Sequence, residues 1–209
     1  MASPAYIIVI VFCRQDDYSK NIEDLTMRRT LMDSLILANG WVVRRLYEDD
    51  RAAAAALCEK CGDYFYMLHS SGPSGQDIEE IFNELPPGKT TDDKFVLGIF
   101  DSANEMSGIV DIIRDYPSRG EWTLGLLLIA PDARRKGLGA AVHQALADQT
   151  ARLGAKVLRL GVLEENKSAV DFWTRLGYKK QKLVDMCFQN QMHVVHVMTL
   201  NLDGTLTGV

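Results

Sequence analysis

Residues Arg134-Arg135-Lys136-Gly137-Leu138-Gly139 set three cations beside two closely spaced glycines. That combination can hold an anion. Glycine lets a backbone approach without a Cβ in the way. Long basic side chains attract phosphate. The first N–H groups of a helix are unpaired and lie at the positive end of its dipole. The spacing is not that of a Walker loop, because G-x-x-x-x-G-K-[ST] is absent, nor that of the dinucleotide loop G-x-G-x-x-G. On these residues alone, a phosphate cradle and a plain helix start with a solvated basic cluster fit equally well.

The elements around this loop favour the cradle. Trp122 to Ile129 is apolar almost throughout, so Glu121–Ile129 reads as a central strand buried on both faces. Pro131 ends it. Leu138 to Leu153 reads as a helix with Val142, Leu146 and Leu153 on one stripe, and Gly154 is its natural stop. A strand over Lys156–Val162, a helix over Asn166–Leu176 closed by Gly177, and strands over Tyr178–Leu183 and His193–Leu200 follow. Upstream, Trp41–Leu46 reads as a strand. Asp49 or Asp50 opens an Ala-rich helix reaching about Cys61. Ser71–Gly75 is a loop, Gln76–Leu85 a short acidic helix stopped by Pro86-Pro87, and Lys94–Phe100 with Ser107–Ile113 a hairpin. Residues 1–40 read as an added strand-helix unit, an interface segment or a poorly packed extension. In it Tyr6–Cys13 is a strand, and a helix from Asp24 carries Leu25, Leu31, Leu35 and Ile36 on one face and ends at Asn39-Gly40.

The bulk numbers suit one core of ordinary size. The chain has 209 residues, 47% hydrophobic and 24% charged, with a net charge of −5. A negative balance gives a nucleic-acid partner no electrostatic support and mildly favours a cationic small substrate. The apolar run Ala5–Cys13 is about half the length of a spanning helix and lacks a basic n-region, so neither a membrane span nor a secretory signal is expected. Four cysteines in such a chain do not form a disulfide framework, and a cytoplasmic location is expected. Cys58 and Cys61 form a C-x-x-C late in a helix, whereas a redox pair belongs at a helix start. With no second pair to complete a zinc set, they read as packing thiols and no metal is expected.

Two motifs in order carry a family resemblance. The stretch from Leu127 to Gly139, with its apolar strand, Pro131 turn and Arg134-x-x-Gly137-x-Gly139, resembles the central motif of the GNAT superfamily of N-acetyltransferases. Downstream, Asn166-Lys167-Ser168-Ala169 and Phe172-Trp173…Gly177-Tyr178 resemble the family's Asn-x-x-Ala…Phe-Tyr-x-x-x-Gly-Phe helix. The element order from Trp41 to Leu200 is also similar. The resemblance implies an α/β (α+β) fold: a mixed, mostly antiparallel sheet with two splayed parallel strands, flanked by helices. It places the domain at 41–201, with 1–40 as an extension and 202–209 as a tail.

It implies an acetyl-CoA site between Glu121–Ile129 and Lys156–Val162. Backbone groups of Leu127, Leu128 and Ile129 would meet the pantetheine, and an N–H near Ile129 would polarise the thioester carbonyl. Backbone N–H groups from Arg135 through Lys136, Gly137, Leu138 and Gly139 to Ala140 would hold the pyrophosphate, with the side chains of Arg134, Arg135 and Lys136 adding attraction and direct phosphate contacts. Asn166 would touch the pantetheine arm or order its helix. Trp173 stands where the family often has an acidic tyrosine; it would pack by the thioester, leaving water, Tyr116 or Tyr178 as proton donor. Glu121 is the expected base and Thr123 an orderer of water, with Asp111, Asp115 and His69 as weaker candidates. Tyr116 and Trp122 would line the acceptor pocket.

The expected activity is direct acetyl transfer to a primary amine of a small molecule. Acylation of a protein amine and a non-catalytic acyl-CoA-binding module are the alternatives. A homodimer through the first apolar run is a further expectation.

Overall fold

The computed structural model describes residues 34–37 and 40–202. Its framework is one eight-stranded sheet in the order β1-β2-β3-β4-β5-β6-β8-β7. Here β1 is Ser34–Ile36, β2 Val42–Arg45, β3 Lys94–Phe100, β4 Met106–Ile113, β5 Glu121–Ile129, β6 Val157–Leu163, β7 Lys179–Phe188 and β8 Gln191–Asn201. Every neighbouring pair is antiparallel except β5 and β6, which run parallel.

That parallel pair is brief. Only Glu121–Thr123 register with Val157–Arg159. Beyond Thr123 the strands part, while β4 stays on one side of β5 and β8 on one side of β6. The result is a wedge-shaped gap open toward the carboxyl ends of both strands. The crossover between them is the helix α4 (Leu138–Arg152), packed against β5. Helix α5 (Lys167–Arg175) packs against β6.

Three helices lie between β2 and β3: α1 (Arg51–Lys60), α2 (Gly62–His69) and α3 (Gly75–Asn83). Alanine sets α1 up as a strong helix former, and the backbone breaks at Cys61 before α2 begins. The sequence pattern does not show α2, because the Ala-rich pattern runs out at about Cys61. Ser74 opens α3 through a capping box with Asp77, which fixes the start of the helix and the direction of the Asp77 carboxylate.

The segment before the sheet needs correction. Leu35 and Ile36, expected on a helix face, lie in strand β1, paired with Val43 and Val42. The boundary drawn at residue 41 therefore falls inside the β1–β2 hairpin, whose turn is tied by Leu37 N–H to Trp41 C=O. Backbone pairing to β2 outweighs the local helical spacing of the leucines. The Tyr6–Cys13 strand and the Asp24–Leu31 part of the expected helix lie outside the described residues. Among the described residues, no helix is long and apolar enough to cross a membrane.

Candidate functional site

The loop after β5 is pinned before it reaches the helix. Arg134 turns inward: its Nε donates to Ile129 C=O at 2.7 Å, and its Nη1 pairs with Asp63 on α2 at 2.9 Å. Burial pulls the guanidinium pKa down, but the bond and charge of Asp63 push it up further, so the guanidinium stays charged. Cys61 Sγ lies 3.6 Å from the same Ile129 oxygen. Arg134 therefore clamps the loop to strand β5 and helix α2. This differs from the expectation that its side chain reaches a pyrophosphate.

Past the clamp, Arg135 (φ 60°) and Gly137 (φ 82°) adopt left-handed conformations, and Gly137 is the N-cap of α4. The first bond of that helix runs from Ala141 N–H to Gly137 C=O. The N–H groups of Leu138, Gly139 and Ala140 therefore open the helix ahead of it, as an anion site requires. A Cβ on Gly137 would meet nothing within 4 Å, so this surface is open. Lys136 is exposed beside it.

The strand gap adjoins this loop. Ala130 N–H donates to Ser107 C=O on β4, and strand amides alternate sides. The amides of Leu127 and Ile129 thus turn away from β4, into the gap. The Ile129 carbonyl is occupied by Arg134, so its N–H and the Leu127 groups remain to meet a ligand. Leu128 bonds toward β4 and lends the gap only its flank. Asn166 caps α5: its side chain accepts from Ala169 N–H at 3.1 Å and from the Ser168 hydroxyl. Of the two roles considered for Asn166, this is the ordering one.

On one face of β3–β5 lies a cavity walled by Tyr64, Phe65 and Leu68 of α2 and by Asp77, Glu80 and Ile81 of α3. Its floor is Lys94, Asp111, Thr123, Gly125 and Leu126, and Tyr116 closes one end. A second cavity continues it, sharing Leu68, Asp77, Glu80 and Glu84 and adding Asp185 from β7. The two cavities share a wall rich in carboxylates. Burial, then the charge of Glu80, pushes the Glu84 carboxyl above its ordinary range. His69 is held between Ser71 and Asp77. The sequence signal for this wall is the spacing Asp77, Glu80, Glu84 along an acidic helix, which a solvated helix face would show equally.

The expected residues divide sharply around this space. Tyr116 and Thr123 line the cavity, and the Thr123 hydroxyl donates to Tyr116 C=O at 2.8 Å. Trp122 does not line it: its indole stacks on Phe95 across the other face, because adjacent strand residues point to opposite sides. Glu121 lies outside it, bridged to Arg159 at 3.2 Å and close to Ser118, where β5 and β6 are still paired. Asp115 is spent on Gly120 N–H.

Trp173 also departs from expectation. It is 0% exposed, with His143, Phe172 and Tyr178 around its ring. In this packing it cannot touch a thioester. Tyr178 shares a hydrogen bond with His143 Nε2, and burial raises its pKa, so it is a poor proton donor. Cys58 and Cys61 are buried free thiols pushed by burial up to about 12 and about 11, which keeps them protonated.

Comparison with known proteins gives a consistent result. The model of the acetyltransferase (GNAT) family matches residues 63–178. An uncharacterised N-acetyltransferase of Methanocaldococcus jannaschii is 31% identical over 58 residues, 28% of this chain, and the match spans about a quarter (26%) of that relative's length. A spermidine N-acetyltransferase from Vibrio cholerae, solved with CoA and spermine, superposes with a TM-score of 0.63 at 18% identity, covering 80% of this chain and 98% of that one. The ribosomal-protein-S18-alanine N-acetyltransferase of Escherichia coli superposes at 0.59 and 18% identity, covering 78% and 94%. At such identities the solved structures share the fold.

Proposed function

The chain belongs to the acetyltransferase (GNAT) family, and from that premise we propose that it moves the acetyl group of acetyl-CoA directly to a primary amine of a small, cationic molecule. The observation that carries this reading is the carboxylate-lined cavity, whose floor residues Thr123, Gly125 and Leu126 lie where β5 leaves β6. A donor in the gap and an acceptor in the cavity meet across one strand.

The donor side fits the chain's own groups. The N–H groups of Leu138, Gly139 and Ala140 receive the pyrophosphate, with Arg135 and Lys136 adding positive potential. Gly137 keeps that approach free of a side chain. Leu127 and the Ile129 N–H pair with the pantetheine amides, and a strand N–H pointing into the gap polarises the carbonyl. Asn166 orders the helix that borders the gap. Arg134 acts through the loop it clamps.

The acceptor side selects by charge and size. Asp77, Glu80, Glu84 and Asp185 attract an ammonium. The aromatic and aliphatic wall of Tyr64, Phe65, Leu68, Ile81 and Tyr116 suits a short alkyl chain. A concave wall of this kind favours a small amine over a protein segment.

Release of free thiol from acetyl-CoA, followed with a panel of alkyl monoamines, diamines and lysine peptides, tests the reading. Turnover on small cationic amines above that on peptides is expected. Turnover on peptides alone would assign a protein acceptor. Acetyl-CoA binding with no turnover would leave a binding module, and no binding would sink the acyl-transfer reading.

A further inference from the structure

We infer that the Asp111 carboxylate is the proton acceptor for the attacking amine, positioned by Lys94 and given space by Gly125. The inference rests on the acyl-transfer reading above.

Asp111 lies on β4, in register with Leu126 at a bulge in β5. The pairs Ile112–Leu124 and Asp111–Leu126 leave Gly125 as the extra residue. The bulge lies two residues beyond Thr123, the last β5 residue paired with β6. The carboxylate therefore reaches the cavity floor next to the point where the strand gap opens.

Its two oxygens are used differently. Oδ2 accepts from Lys94 Nζ at 2.9 Å, and that ammonium also donates to Glu84 C=O at 3.1 Å. Oδ1 is fully buried and has no hydrogen-bond partner among the described residues. A buried polar atom without a partner is costly and rare in native proteins. Here the atom belongs to a residue lining the cavity. The Asp111 side chain as a whole is 13% exposed and lines the cavity, so an entering ammonium meets the carboxylate there.

The surroundings suit a proton acceptor. Facing it are Lys94 from β3, Asp77, Glu80 and Glu84 from the α3 side, Tyr64 from α2, and Tyr116 from the loop before β5. Burial raises the carboxyl pKa, and Lys94 opposes that rise without cancelling it. A carboxylate so placed is a better base than an exposed one. Glu121, the base expected from the sequence, is bound to Arg159 away from this floor.

The proton and electron count is simple. The ammonium R–NH3+ gives one proton to the Asp111 carboxylate and becomes R–NH2. Its lone pair forms the N–C bond to the thioester carbonyl carbon, and the C–S bond breaks with its electron pair on sulfur. The second nitrogen proton is lost as the amide forms, and the thiolate gains one to leave as the free thiol. The proton on Asp111 passes to water as the products depart.

The test uses the full chain, acetyl-CoA and two probe amines, ethylamine and 2,2,2-trifluoroethylamine. Ethylamine arrives protonated at neutral pH, and the fluorinated amine arrives largely neutral. Asp111→Asn should lower kcat/KM for ethylamine about 100- to 10,000-fold and remove the acid limb of its pH profile. The loss should be much smaller for trifluoroethylamine, which a merely structural role would not produce. The double variant Lys94→Met/Asp111→Asn, which removes both buried charges, should show the same contrast if the single variant folds poorly. Equal turnover of wild type and variant, an equal loss on both amines, or an acid limb that persists in Asp111→Asn and vanishes in Glu121→Gln would overturn the inference. Failure of the wild type to release thiol with either amine would instead overturn the small-amine reading on which it rests.

Discussion

Asp111 presses so closely on the backbone at Gly125 that a Cβ built on that glycine would fall 2.6 Å from the Asp111 Oδ2 oxygen. The same oxygen holds Lys94. Glycine at this bulge is thus a requirement of the buried ion pair and not of the turn, and one methyl group tests the whole floor of the cavity.

Gly125→Ala should push the carboxylate away from Lys94 or force the β5 bulge to shift. Overpacking of this kind costs about 1–3 kcal/mol. We expect a drop in melting temperature with a loss of kcat larger than the change in KM for acetyl-CoA. Thermal denaturation and initial-rate kinetics check both. A variant as stable and active as wild type would show that the pair can move without consequence.

Gly137→Val tests the helix start. The residue has φ 82°, a conformation that a β-branched side chain adopts only with strain. That strain should cost about 1–2 kcal/mol. The new side chain would stand over the N–H groups of Leu138, Gly139 and Ala140. The expected result is at least a tenfold rise in KM for acetyl-CoA, read from saturation kinetics, with kcat much less affected. Unchanged affinity would place the pyrophosphate elsewhere.

Much of this architecture is legible in the sequence, and the misses have physical causes. Lys94–Phe100 and Glu121–Ile129 are strands as their apolar runs indicate, because burial on both faces leaves no other reading. That same uniformity hides which face is which, so the apolar run does not show that Thr123, and not Trp122, faces the cavity. The strand at Ser34–Ile36 is set by pairing with β2, which local leucine spacing does not report. The clamp from Arg134 to Asp63 joins residues far apart in the chain, as does the bridge from Glu121 to Arg159. Side-chain pairing over such distances has no periodic signature, so a helix start was visible but the group that anchors it was not. Asp111 is a weak candidate on sequence grounds alone. Its weight comes from an unpaired oxygen and from a bulge that no spacing rule predicts.

Arg134→Ala separates a positioning role from direct phosphate contact. The side chain ties Ile129 C=O and Asp63 together. Its loss should destabilise the fold by about 1–3 kcal/mol, toward the lower end because Asp63 is partly exposed. KM for acetyl-CoA should rise in step. Arg134→Lys should recover only part of either, since a single ammonium cannot span both partners as the guanidinium does. Urea unfolding alongside KM measurements decides the point: a raised KM with full stability would mean that Arg134 contacts the phosphate itself.

His143 should govern part of the acid sensitivity of the fold. It is enclosed with Trp173 and Tyr178, and burial holds its imidazole down to about 4 from an ordinary 6.5. Between those values the unfolded chain binds a proton that the folded chain refuses. Its contribution is therefore fully present above pH 6.5 and is lost as pH falls toward 4, by about 3 kcal/mol in all. His143→Leu removes this term. It also leaves the Tyr178 hydroxyl without its partner, at a cost that does not change across this pH range. The variant should be the less stable protein at pH 7, and its deficit should shrink steadily on acidification. Urea unfolding at half-unit steps from pH 7 to pH 4 measures this directly, and a deficit constant with pH would mean that His143 takes up its proton in the folded state.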